Sequence, residues 1–196
     1  MEIILASASP RRKELLKQIG LQFRVVVSRA EENITAEQPH EVVEELSCRK
    51  AEAVFAGLPD DGQEVLVIGA DTIVAYGKEI LGKPTNMKHA VEILAMLQGH
   101  THEVYTGVTL IHRRADGTRQ RKIFHEITKV QFYPMTEREI GTYLSVSDYM
   151  DKAGAYGIQG FCARYIKGIE GDYNNVVGLP VGRLYQEAKD WLGNQA

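Results

Sequence analysis

The chain has 196 residues, 44% of them hydrophobic and 25% charged, with a formal net charge of −3. That balance suits a globular protein with a real core and gives no electrostatic footprint for non-specific nucleic-acid binding. No apolar run approaches the ~20 residues that span a bilayer, and Cys48 and Cys162 make neither a disulfide framework nor a metal-ligand spacing with histidine. With no basic n-region at Met1-Glu2-Ile3, the expectation is a soluble cytoplasmic protein without membrane or nucleic-acid partners.

Taken in chain order, Ile3 to Ala6 reads as a short buried strand. Ser9 then offers a helix N-cap, Pro10 suits the first helical position, and Leu15, Leu16 and Ile19 follow helical spacing until Gly20. Arg11, Arg12 and Lys13 therefore fall in the first turn, where free N–H groups already carry partial positive charge. Cations there are unfavourable by about 0.3–1 kcal/mol each. A bound anion resolves the conflict, because a phosphate accepts from free amides, Ser hydroxyls and guanidinium groups together. A solvated basic turn is the plain alternative.

Phe23 to Val27 is β-branched and reads as a strand, and Pro39 opens a helix to about Phe55. Glu64 to Ala75 is a buried strand that turns back on itself through Tyr76-Gly77-Lys78-Glu79. Asn86 caps a helix whose Ala90, Ile93, Leu94 and Leu97 form one face. Thr101 to His112 and Gln120 to Phe132 read as long strands joined at Asp116-Gly117. Thr136 and Glu139 make a capping box, a glycine-rich stretch runs from Gly154 to Gly160, Tyr165 to Ile169 follows, and Pro180 starts an amphipathic last helix. These signals describe one α/β domain over residues 1–196 with a mixed sheet.

Two charged positions interrupt apolar patterns, and three more stand near them in the chain. Asp71 lies inside the run Val65 to Val74, where a carboxylate is costly unless paired, hydrogen-bonded or bound to metal. It is either a general base or metal ligand held at a strand end, with Gly69 allowing close backbone approach, or a turn residue beyond a strand that stops at Gly69. Lys50 shares a helix face with Val43, Leu46 and Ala53, and either lifts its amine to water or reaches a phosphate site. Lys83, in Leu81-Gly82-Lys83-Pro84, is not a Walker A lysine, since Pro84 stands where the motif needs a Ser/Thr. Glu31 and Glu32 are solvated acids on their own, or one of them joins Asp71 in a Mg2+ site that borrows substrate phosphates. No histidine pattern suggests zinc, and no G-x-S-x-G suggests a serine hydrolase.

Together, these segments closely resemble the septum-formation-inhibitor (Maf) family of nucleoside triphosphate pyrophosphatases. The likeness rests on Leu5 to Leu16 (LASASPRRKELL), Gly69 to Thr72 (GADT), Leu81 to Pro84 (LGKP), His102 to Gly107, Asp151 to Gly160 (DKAGAYGIQG) and Gly171 to Pro180. It implies a two-lobed α/β fold of the Maf/ITPase type, with an elongated mixed sheet, flanking helices and a cleft between the lobes, commonly in a homodimer. It also implies cleavage of a nucleoside triphosphate between the α- and β-phosphates with a divalent cation, Mg2+ or else Mn2+ or Co2+. Carried over by motif, Asp71 accepts the proton of the attacking water, Arg11, Arg12, Lys50 and Lys83 bind phosphates, and Glu32 with Asp71 holds the metal. That chemistry agrees with the residues, since phosphoryl transfer needs charge neutralisation and an oriented water rather than a covalent nucleophile.

Arg11, Thr72 and Gln159 resemble the dTTP/UTP branch of the family; the 7-methyl-GTP branch carries an aromatic residue, a glutamine and a glutamate at the matching places. A carboxamide suits uracil and thymine, because it meets both the N3–H donor and the neighbouring carbonyl. Asn86, His100 and Glu31 depart from the family's more usual aspartate, arginine and aspartate. The competing reading is a regulator of cell division that senses nucleotides without turning them over.

Overall fold

The computed structural model describes residues 1–31 and 33–193. Among the described residues seven strands and six α-helices follow in the order β1 (Glu2–Leu5), α1 (Pro10–Gln18), β2 (Arg24–Val25), α2 (Pro39–Ala56), β3 (Val65–Tyr76), β4 (Glu79–Leu81), α3 (Met87–Leu97), β5 (Thr101–Arg113), β6 (Arg119–Phe132), α4 (Glu137–Val146), β7 (Ile166–Glu170), α5 (Tyr173–Val177) and α6 (Val181–Leu192). One mixed sheet carries the order β2-β1-β3-β5-β6-β7, with β4 paired to β3 as a hairpin. β1 is parallel to both β2 and β3, and β7 is antiparallel to β6. None of the helices among the described residues is long and apolar enough to cross a membrane.

The helix starts obey the local signals. Ser9 caps α1 with Pro10 in its first turn, Asn86 Oδ1 accepts from His89 N at 2.9 Å, and Thr136 with Glu139 closes a capping box on α4. The strand expected at Phe23 to Val27 is shorter. Only Arg24 and Val25 pair, because this edge of the sheet has little to bury, and Val27 is largely exposed. Residues 173–177 form a short helix, and 153–155 and 160–165 form 3-10 turns, none of which has a periodic signature.

The chain divides into two compact units. The first comprises residues 1–71, 106–126 and 178–196; the second comprises 72–105 and 127–177. In the first unit α2 and α6 cover opposite faces of the sheet. Ser47 meets Thr109 from one side, while Trp191 stacks on His112, three residues along β5, from the other. Ile4, Ala6, Ala51, Val54, Val65, Val67 and Ile111 form the core under α2. In the second unit α3 and α4 enclose a core built on Ile93, Leu97, Phe132 and Tyr143.

Candidate active site

The site residues of the first unit sit on α1, α2 and β3. α1 begins as the sequence predicts, with no acidic residue in its first turn. Its cap is long, Ser9 Oγ accepting from Arg12 N at 3.5 Å. Ser7 Oγ accepts from Ser9 N and from Arg12 Nη1, both at 3.2 Å, so the serines hold the turn and one of its guanidinium groups. Arg12 Nε donates to the carbonyl of Gly178 at 2.8 Å, which ties the start of α1 to the segment entering α6. Burial lowers the pKa of Arg12, Asp71 opposes that shift and the like charge of Arg11 adds to it. Arg12 therefore stands beside Asp71 as a fixed, partly buried cation rather than as a solvated surface residue.

β3 does not stop at Gly69. It continues through Asp71 to Tyr76, so the carboxylate lies within a strand and not in a turn. Lys50 on α2 donates to Asp71 Oδ1, and the two side chains are only 18% and 14% exposed. The lysine that breaks the stripe on α2 is thus matched to the aspartate that breaks the run on β3. Each charge accounts for the other, since a partly buried charge needs a partner. The face of α2 differs in one detail from the sequence reading. Val43, Leu46, Ser47, Ala51 and Val54 are buried, whereas Ala53 is exposed.

Thr72, Lys83 and Gln159 belong to the second unit. Thr72 follows Asp71 on β3 and is half-buried; Lys83 is exposed in the turn after β4. Gln159 is exposed at the start of a 3-10 turn, and its side chain makes no capping bond. The loop that carries it is fastened through its main chain. Gly154 N donates to Gly82 O at 3.0 Å, next to Lys83, and Gly154 and Ala155 are consecutive left-handed residues at φ 70° and 57°. A side chain on Gly154 would meet Val74 Cγ2 at 2.8 Å, so glycine is required by both space and conformation.

Glu32, the expected second metal ligand, lies outside the described residues. Glu31 is exposed and accepts from Asn33 Nδ2 at 3.0 Å. Downstream, Glu45 on α2 accepts from the main-chain N–H groups of Thr35 and Ala36, each at 3.0 Å, and from Arg49 Nη2 at 2.6 Å. Those bonds, Arg49's first, hold its carboxyl down at about 2. This tether escaped the sequence reading; the Glu45–Arg49 spacing of four along α2 is the only trace of it. Among the described residues no group of three or more His, Cys, Asp or Glu side chains could enclose a metal.

A carboxylate flanked by an ammonium and a guanidinium, at the foot of a cationic helix start, is equipped to bind a polyanion and to take up a proton beside it. A family model described as Maf-like protein matches residues 2–191. A dTTP/UTP pyrophosphatase of Agathobacter rectalis is 55% identical, with 96% of each chain covered. One of Lachnoclostridium phytofermentans is 49% identical, covering 96% of this chain and 94% of the relative, and one of Bacillus cereus is 47% identical, covering 97% and 95%. Among solved structures, the Staphylococcus aureus Ham1 protein matches at a TM-score of 0.42 and 17% identity, over 85% of this chain and 80% of that one, a likeness too loose to add to the family match.

Proposed function

The chain belongs to the Maf family, and we propose that it hydrolyses dTTP and UTP to the nucleoside monophosphate and pyrophosphate. One observation carries the chemistry: a carboxylate inside a continuous strand, held by Lys50 and standing beside Arg12. Water attacks the α-phosphorus, its proton passes to Asp71, and the bond to the α,β-bridging oxygen breaks, so the electron pair leaves with pyrophosphate. Arg11, Arg12, Lys50 and Lys83 neutralise the phosphates. The start of α1 brings Arg11 and Arg12 together, and such fixed donors favour the charge of the transition state. Arg11, Thr72 and Gln159 select the pyrimidine. The names of the relatives support the substrate class, and no observation favours a regulator that binds nucleotides without turnover.

The donor set fits a divalent cation bound largely by substrate. Mg2+ takes one or two carboxylates, several waters and phosphate oxygens rather than a protein cage. Asp71, with Glu32, would hold it. When bound, it supplies charge neutralisation on the phosphate oxygens. In this reading the enzyme works as a homodimer, as the family resemblance implies, and in the cytoplasm, as its two free thiols suit.

The bond cleaved is tested by reaction in H2(18)O with dTTP and UTP. The label is expected on the monophosphate, with pyrophosphate as co-product. Label confined to pyrophosphate, or release of orthophosphate with a diphosphate, would overturn the proposal.

A further inference from the structure

Two glycines in the first unit are needed for space and not for backbone freedom. Neither Gly69 nor Gly107 has a positive φ. Yet a Cβ on Gly69 would lie 2.4 Å from Ser47 O, 2.8 Å from Ala51 Cβ and 2.9 Å from Ala51 N. A Cβ on Gly107 would lie 2.1 Å from Val43 O and 2.8 Å from Glu44 N. Every one of those atoms belongs to α2, and most are backbone, which cannot turn aside as a flexible side chain could. The helix presents its smallest residues to the strands. Ser47 and Ala51 are fully buried, and Ser47 Oγ lies 2.9 Å from Thr109 Oγ1 on β5. So α2 rests main chain to main chain on β3 and β5.

Side chains two apart on a strand share a face, so Gly69 and Asp71 both point toward α2. Ser47 and Ala51 sit over Gly69, and Lys50, between them on the helix, meets Asp71. We propose that Gly69 is a positioning residue for the reaction: by carrying no side chain it seats α2 at the depth where the Lys50 ammonium reaches the Asp71 carboxylate. Gly107 seats the same helix nearer its start. This rests on the reading of Asp71 and Lys50 as the catalytic pair. Any side chain at 69 lifts the helix, lengthens the reach from Lys50 and admits water beside the carboxylate.

The test is a double-mutant cycle on the full chain, with dTTP turnover and thermal unfolding measured together. G69A lowers kcat/KM by about 10–100-fold, the scale of a misplacement near 1 Å. In a K50M background the same change adds less than about twofold, because the contact it displaces is already gone. L184A, which removes a buried side chain from α6, lowers the melting temperature at least as far as G69A and leaves turnover unchanged. Should G69A fail to fold, A51S crowds the same contact from the helix side and reproduces the pattern at smaller amplitude. Wild-type turnover in folded G69A, or a G69A loss that multiplies fully with that of K50M, overturns the seat. Wild-type turnover in D71N and K50M overturns the reading of the pair beneath it.

Discussion

The two units hold their site residues in opposite ways. In the first, Arg12, Lys50 and Asp71 lie on helices and a central strand, partly buried, and each is fixed by a bond from its own side chain. In the second, Lys83 and Gln159 are exposed on turns, and the main chain beneath them is what is fixed, through the Gly154–Gly82 bond and the left-handed pair Gly154–Ala155. The contrast matches the proposed division of labour. Charge neutralisation needs groups already in place, because reorganisation during reaction costs rate. Recognition of a base needs a side chain free to make a new hydrogen bond, and loops on a rigid scaffold provide that.

The largest expected effect breaks the first unit alone. Asp71→Asn lowers turnover by about 10²–10⁴-fold, the range for losing a general base, and does so equally for every nucleotide tested. Steady-state kinetics on UTP and 7-methyl-GTP check this; turnover near wild type would return Asp71 to a structural role.

Gln159→Glu acts on the second unit and shows the converse. It keeps an acceptor for the pyrimidine N3–H but sets a carboxylate against the O4 carbonyl. The ratio of kcat/KM for UTP over 7-methyl-GTP falls, with a loss of about 2–4 kcal/mol for the pyrimidine, as sites built around a hydrogen bond reject a mismatch. An unchanged ratio would separate Gln159 from base selection.

Acid distinguishes the cores. His102, in the core of the second unit, is buried, with Nε2 2.7 Å from the Tyr156 hydroxyl and its ring against Phe132. Burial pushes its pKa down to about 4 from 6.5. Between those values the unfolded chain takes up a proton that the folded chain refuses, so stability declines as pH drops from 6.5 toward 4. The loss reaches about 3 kcal/mol. Urea unfolding at several pH values, for wild type and His102→Gln, should show a shallower acid slope in the variant; equal slopes would mean that His102 does not carry the effect.

The smallest effect compares two helix starts. Asn86→Ala removes a well-formed 2.9 Å cap from α3 and costs about 1 kcal/mol. Ser9→Ala removes a cap bond of 3.5 Å and costs a few tenths of that in the free protein. With nucleotide bound the Ser9 variant loses more, because the hydroxyl then serves the phosphate as well. Melting temperatures with and without UTP under non-hydrolysing conditions test both, and a Ser9 penalty indifferent to nucleotide would detach the start of α1 from phosphate binding.

Much of this was written locally in the chain. Ser9-Pro10, Asn86 and the Thr136–Glu139 box mark helix starts because capping is settled within four residues. The Tyr76–Glu79 turn and the long strands on either side of Asp116-Gly117 followed from the same short-range rules. Asp71 and Lys50 were each conspicuous as a charge in an apolar pattern, and the Maf motifs identified the family. The sequence could not say that these two charges satisfy each other, since they stand 21 positions apart, nor that Arg12 is tied to Gly178 across 166. It could not shorten β2, whose residues have strand propensity but lie at an edge with little to cover. Gly69 was legible as a place of close backbone approach, but Gly107 was not distinguished from glycines that serve turns, because what excludes a side chain there is the backbone of α2. Periodicity and capping depend on neighbours along the chain. Ion pairing, close approach and burial depend on neighbours in space, which only the folded arrangement brings together.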